Sequence, residues 1–147
     1  MAQKNIGLLI KHINLEYVRL VDTRLSVYGV STVQGEALYH ISLDEGLSQT
    51  QLRHHLGITA PSLSVLIDSL VSKGFVVRHS DPVDPRRLKL FLTPQAKPVV
   101  EKFAAIKRGI YAEFHKDMSE AQLALFGEWL QQFLDSLKQQ SNPSDNS

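Results

Sequence analysis

Between residues 70 and 93 the spacing of apolar side chains drops from one helical turn to two residues, and this change limits what the chain can fold into. Residues 75–79 read Phe-Val-Val-Arg-His, β-branched and aromatic, and residues 88–93 read Leu-Lys-Leu-Phe-Leu-Thr, an alternating run. Residues 80–87, Ser-Asp-Pro-Val-Asp-Pro-Arg-Arg, separate them. Two prolines remove N–H donors, and the aspartates and serine favour turns, so this stretch can be neither helix nor central strand. A β-hairpin with a long, proline-stiffened, basic tip is predicted, set in a chain whose remaining pattern is helical.

The residues before the hairpin predict two short helices joined by a glycine turn. Ser48 with Gln51 three residues later forms a capping box, Leu52 and Leu56 supply the apolar positions, and Gly57 stops the helix. Thr59 is the N-cap of the next helix, with Pro61 in its first turn, where a missing N–H costs nothing. Leu63, Leu66, Ile67 and Leu70 form its apolar face, and Lys73-Gly74 ends it. A helix-turn-helix followed directly by a hairpin is a winged helix.

Long helices are predicted on either side. Residues 5–27 place Ile6, Ile10, Ile13, Tyr17, Leu20 and Val27 at three- and four-residue steps, ended by Tyr28-Gly29. A second helix covers residues 31–41, capped by Ser31 or Thr32, and Asp44, Glu45 and Gly46 form a loop. Thr93 is expected to cap a helix started by Pro94 and striped by Val99, Phe103, Ile106, Ile110 and Phe114. Ser119 and Gln122 make another capping box before Leu123, Phe126, Leu130, Phe133 and Leu137, a coiled-coil-like seam. The fold class is mainly α with a small β-wing. Residues 1–47 are read as N-terminal dimerisation and support helices, and 48–93 as the winged helix-turn-helix. Residues 94–138 are read as C-terminal dimerisation helices, and 139–147 as a disordered polar tail. Each buried Leu, Ile or Phe contributes roughly 1.5–3 kcal/mol, and the winged helix can cover only part of these stripes. A second copy of the chain is therefore the expected partner, giving a two-fold homodimer.

Composition narrows the chemistry. No cysteine is present, which removes disulfides, thiol nucleophiles and cysteine-ligated zinc or iron–sulfur sites. The apolar run of residues 1–13 is broken by Lys11 and His12 with no small-residue cleavage site. No segment reaches the roughly 18 apolar residues that suggest a membrane span, so a cytoplasmic chain without membrane association is expected. The net charge of +1 is unevenly divided: residues 48–93 hold six Lys/Arg against three acids, while each flank carries −1. A local basic excess suits a surface that faces phosphates.

The run from Leu56-Gly57-Ile58-Thr59 through Lys73-Gly74-Phe75-Val76-Val77-Arg78, with Asp84, Arg86, Leu92 and Thr93 in the hairpin, resembles the MarR family of transcriptional regulators. The resemblance covers most of the chain and implies a winged-helix homodimer that binds pseudo-palindromic double-stranded DNA, usually as a repressor. It also implies a small aromatic or lipophilic effector bound between the dimer helices and the DNA-reading region; His12, Tyr17, Tyr39 and Tyr111 are the polar or aromatic residues expected to line that pocket. One departure stands out: no Arg or Lys lies between Thr59 and Ser72, the stretch where family members often carry them, with Val65 and Ser69 in their place. The family's cysteine-based peroxide sensing is excluded as well.

Placing successive helix residues at 100° turns Pro61, Val65 and Asp68 outward, flanked by Ser62, Ser69 and Ser64. An arginine bidentate to guanine is absent from this surface, so Val65 and Pro61 are expected on thymine methyls, with Thr59, Ser62 and Ser64 on phosphates or base edges. Affinity must then come from the wing. Arg86, held by Asp84, is assigned to an A·T-rich minor groove, and Arg78 and Arg87 to phosphates. Metal binding is not expected: His54 and His55 point about 100° apart, and His12 with Glu16 gives two ligands at most, with His40 or His115 a conceivable third. No phosphate loop, nucleophile elbow or paired carboxylate suggests an enzyme or a cofactor, and Trp129 suits dimer packing better than a pocket. The alternative is a winged-helix interaction protein that binds another regulator and has lost DNA binding. The uncharged recognition helix supports it, and the clustered Arg78, Arg86, Arg87 and Lys89 oppose it.

Overall fold

The computed structural model describes residues 5–141. In chain order it contains α1 (Ile6–Leu25), α2 (Thr32–Leu43), α3 (Gln49–Leu56), α4 (Ala60–Ser72), β1 (Val76–Ser80), β2 (Leu88–Leu92), α5 (Lys97–His115) and α6 (Glu120–Ser141). Short 3-10 turns at Ser26–Tyr28 and Pro94–Ala96 lie between helices. Residues through Lys107 form one compact unit, and those from Arg108 form another.

In the first unit, Asn5 caps α1 by accepting from the Leu8 N–H, and the chain leaves the helix through Gly29 at φ +64, a conformation that a Cβ disfavours. The α1–α2 corner is held by Asp22, whose Oδ1 accepts from the Thr32 backbone at 2.6 Å and from its hydroxyl at 2.8 Å. This docking turns Val21 and Leu25 into the core. The stripe expected from spacing alone is largely left outside: Ile6, Ile13, Leu20 and Val27 are exposed, Val27 at 80%. Ser31 and Gln34 form the reciprocal capping box of α2.

One hydrophobic core joins α2 to the winged helix. It contains Ala37, Leu38 and Ile41 with Leu47, Leu52, Leu63, Ile67, Leu70, Val76 and Leu90, and continues to Ala96 and Val99. Packing therefore runs across residues 47 and 93. Residues 46–48 also extend the hairpin, since Gly46 N–H donates to Leu90 O at 2.8 Å and Leu90 N–H donates to Leu47 O at 3.0 Å.

β1 and β2 pair antiparallel, from Val76 opposite Leu92 to Ser80 opposite Leu88. β1 starts one residue later than spacing predicts. Phe75 N–H is taken by Leu70 O at 3.0 Å, closing the end of α4 around Gly74 at φ +79. Thr93 does not cap a helix with its side chain; its hydroxyl donates to Gly74 O, and a 3-10 turn precedes α5.

In the second unit the capping box forms as expected, with Ser119 N–H donating to Gln122 Oε1 at 2.8 Å and Gln122 N–H donating to Ser119 Oγ at 3.1 Å. Phe114 and Phe126 pack with ring centroids 5.6 Å apart and planes tilted by 50°. α6 buries none of its residues; Phe126, Trp129, Leu130, Phe133 and Leu137 are all exposed. α6 continues through Ser141, so Gln139, Gln140 and Ser141, expected in a disordered tail, are helical. The rest of that tail, residues 142–147, lies outside the described residues. Among the described residues no single helix is long and apolar enough to cross a membrane.

Candidate nucleic-acid interface

α3 and α4 are set at an angle by the turn between them. Gly57, at φ +64, donates its N–H to Arg53 O and His54 O, and Thr59 starts α4 by accepting from Ser62 N–H. Leu63, Leu66, Ile67 and Leu70 are buried, so the opposite face is free. Thr59, Pro61, Ser62, Ser64 and Val65 are exposed, Val65 at 71%. Thr59 hydroxyl also donates to Ser62 Oγ at 2.9 Å. Ser69, expected beside this outer face, instead accepts from Gln34 Nε2 at 3.0 Å. Gln34 Oε1 in turn accepts from Lys73 Nζ at 3.1 Å, and that ammonium also donates to Gly29 O. These bonds fix α4 against the start of α2.

The charges of residues 48–93 are paired off in a definite pattern. Each of the three acids holds one cation: Asp68 with Arg78, Asp84 with Arg86 at 3.5 Å, and Asp81 with Lys89 at 3.6 Å. Arg53, Lys73 and Arg87 remain, and none of them makes an ion pair among the described residues. The three surplus charges of the sequence are thus assigned to three side chains. Lys73 is committed to carbonyl oxygens, Arg53 is half-buried on α3, and Arg87 is exposed at the wing.

The wing tip is built by its aspartates. Asp81 Oδ1 accepts from Val83 N–H at 2.8 Å, Asp84 Oδ1 accepts from Arg86 N–H at 3.1 Å, and Arg87 N–H donates to Asp84 O at 2.9 Å. Asp81 is held below the usual carboxylate range, first by the Val83 N–H and then by Lys89. Asp84 thus both folds the tip and stands beside the Arg86 guanidinium, whose side chain is 95% exposed.

Arg78 differs from the expectation. Rather than standing free for a phosphate, its Nη2 is bonded to Asp68 and its Nε donates to Gln49 Oε1 at 3.1 Å, and its side chain is only 28% exposed. β1 points Arg78 back across α4, where an outward carboxylate already waits. Gln49 and the Asp68 pairing were missed from sequence. The available signal was Asp68 itself, an acid on a face otherwise suited to a polyanion.

The four residues expected around an effector come from α1, α2 and α5. Tyr39 packs on Phe103 with centroids 5.6 Å apart and lies 4.4 Å beneath Lys107 Nζ. His12 is exposed on α1, Tyr17 is half-buried on the same helix, and Tyr111 is exposed in the second unit. A cleft of about 460 Å³ in the first unit is lined by Ser42, Glu45, Leu92, Thr93, Lys97 and Glu101 among others, and contains none of the four. His40 stacks on His55 rather than joining His12, with centroids 5.0 Å apart and rings within 6° of parallel. Burial of His40, then His55 and Lys107, push its imidazole below its ordinary value. Burial raises the Glu36 carboxyl, with Lys107 opposing.

Comparison with known proteins agrees with this geometry. Residues 28–87, from the end of the α1–α2 corner to the wing tip, match the model of the MarR family. Over those residues the chain is similar to the MarR family of winged-helix regulators. The fold is similar to MepR from S. aureus in its DNA-binding conformation, with 26% identity, a TM-score of 0.84, and coverage of 90% of this chain and 98% of that one. It is similar to a MarR variant from E. coli complexed with operator DNA, with 25% identity, a TM-score of 0.76, and coverage of 89% and 94%. The PcaV regulator from Streptomyces coelicolor, in complex with its natural ligand, shares the fold at 20% identity and a TM-score of 0.78 over 93% and 99% of the two chains.

Proposed function

We propose that this protein is a homodimeric MarR-family transcriptional repressor that binds a pseudo-palindromic, A·T-rich operator and is released by a small aromatic or lipophilic effector. The observation that carries the DNA-binding reading is the outer face of α4, uncharged from Pro61 to Val65 and exposed, beside a wing that presents Arg86 and Arg87. The MepR and MarR relatives, described in a DNA-binding conformation and on operator DNA, support it.

In this reading α4 enters the major groove by its N-terminal half. Val65 and Pro61 meet thymine methyls, and the hydroxyls of Thr59, Ser62 and Ser64 hydrogen-bond phosphates or base edges. Arg86, oriented by Asp84, enters the minor groove, where narrow A·T segments attract arginine. Arg87 contacts the phosphate backbone. The exposed apolar residues of α1 and the uncovered seam of α6 support a second copy of the chain, which would present two half-sites about one helical turn apart. An effector would act by binding more tightly to one spacing of the two DNA-reading heads, since equal affinity for both shifts nothing.

The test is an electrophoretic shift with genomic fragments of the source organism, followed by sequencing of the retained DNA. A·T-rich inverted repeats are expected. Absence of any retained fragment would favour the interaction-protein reading.

A further inference from the structure

The outer face of α4 carries one charge, and it is negative. Asp68 projects from the middle of the helix with its side chain 66% exposed, on the face proposed to meet a polyanion. Its partner Arg78 belongs to β1, and the same guanidinium reaches Gln49 on α3. One planar fork with donors in fixed directions thus joins the two helices of the helix-turn-helix to the first strand of the wing.

We infer that Asp68 and Arg78 form a charge clamp that withholds Arg78 from the phosphate backbone and sets the wing against the recognition helix. The inference rests on the DNA-binding reading above. Moving Arg78 onto a phosphate would break its bonds to α3 and α4 together and leave the Asp68 carboxylate unpaired before the same phosphates. The enclosed geometry of Arg78 contrasts with Arg86, whose side chain is 95% exposed and free to extend. Sequence-independent affinity grows with the number of phosphates that basic residues neutralise. A cation kept on a protein carboxylate adds nothing to that number, so the clamp lowers binding to random DNA while preserving the relative placement of α4 and the wing. Asp68 and Arg78 are then positioning residues that favour specific over non-specific binding.

The experiment measures salt-dependent binding of the full chain and of Asp68→Asn, Arg78→Ala and the double variant to a random-sequence duplex. Asp68→Asn frees Arg78, so log K against log salt should steepen by about one unit per protomer and binding at low salt should tighten. The double variant should return to the wild-type slope. Arg78→Ala alone should keep the wild-type slope, bind more weakly, and show faster hydrogen exchange in residues 76–80 as the wing comes loose. Asp68→Asn is nearly isosteric at an exposed position, so the test does not depend on Arg78→Ala folding well. If Arg78→Ala lowers the slope by about one unit, or Asp68→Asn leaves it unchanged, the clamp is overturned while DNA binding stands. A wild-type protein that binds no duplex overturns both.

Discussion

Arg87 is the exposed wing cation without an ion pair, and its removal should change how binding responds to salt more than how it responds to sequence. Its backbone is fixed on both sides of its Cα: its N–H donates to Asp84 O at 2.9 Å, and its carbonyl accepts from Asp81 N–H at 2.8 Å. Arg87→Ala therefore removes a charge without dismantling the tip. Each phosphate neutralised contributes about 0.9 to the slope of log K against log salt on duplex DNA, so a dimer losing two such contacts loses about 1.8. Between about 50 and 200 mM salt, a slope difference of that size changes the ratio of wild-type to variant affinity roughly twelvefold. The wild-type advantage should shrink by about that factor on random and A·T-rich duplexes alike, read by fluorescence anisotropy titration. Arg86→Ala should behave differently. It should cost more affinity than any single substitution within residues 61–65 and weaken the preference for A·T flanks. An unchanged slope for Arg87→Ala would refute its backbone role. A loss confined to A·T-rich duplexes would exchange the assignments of the two arginines.

Further outcomes are expected elsewhere in the molecule. Gly35→Ala should lower the urea midpoint by roughly 1 kcal/mol of stability: the new Cβ would stand 2.7 Å from Leu25 Cδ1 and 3.0 Å from Phe103 Cδ2, both fully buried, and this overpacking outweighs the helix-propensity gain. Gly109→Ala, with nothing within 4 Å, should instead stabilise by about 0.5–1 kcal/mol, and equal midpoints for the two variants would contradict the packing account. His40 is depressed below its ordinary 6.5 by burial, then by His55 and Lys107, so the unfolded chain takes up its proton first as pH falls; the stability it contributes is complete above that ordinary value and is lost below it. Melting temperatures between about pH 5 and 8 should therefore fall more steeply on the acid side for wild type than for His40→Asn, and parallel profiles would remove His40 as the cause. Replacing Leu130 and Phe133 together by Asp should yield monomers or insoluble protein, because charges would enter the proposed dimer seam; a wild-type mass near the chain's own 16.5 kDa by light scattering would refute that seam.

Local rules made most of the winged helix legible. Ser48 with Gln51, Thr59 with Pro61, Gly57 and the proline-rich tip act within three or four residues of themselves, and the structure places them as capping and turn chemistry requires. The inward face of α4 followed from helical spacing for the same reason. What escaped depends on partners distant in sequence. The core face of α1 is set by Asp22 on Thr32 and by Leu25 over Gly35, contacts that the stripe of Ile6, Ile13 and Val27 does not encode. Ser69 was read as outward because its angle lies at the border of the face; Gln34, thirty-five residues earlier, draws it in. Thr93 looked like an N-cap because a proline follows it, yet Gly74 O competes for its hydroxyl.

The charge pattern shows the same division between local and tertiary information, with a consequence for recognition. Counting residues 48–93 yields a surplus of three, a modest attraction for DNA. The structure distributes it so that Asp68, Asp81 and Asp84 each engage one cation, while Lys73 turns to Gly29 O and Gln34. Arg87 and half-buried Arg53 are then the cations without committed partners, and Arg86 can extend from Asp84 because its side chain is exposed. An interface with so few free cations gains little from phosphates alone. In the proposed reading its affinity would depend on whether Val65, Pro61 and the serines of α4 fit the major groove while Arg86 finds a narrow minor groove, two conditions that only some sequences meet together. The absence of a basic residue in the recognition helix is then no sign of a lost interface: with the nonspecific term kept small, the fit of an uncharged helix can decide which DNA is bound.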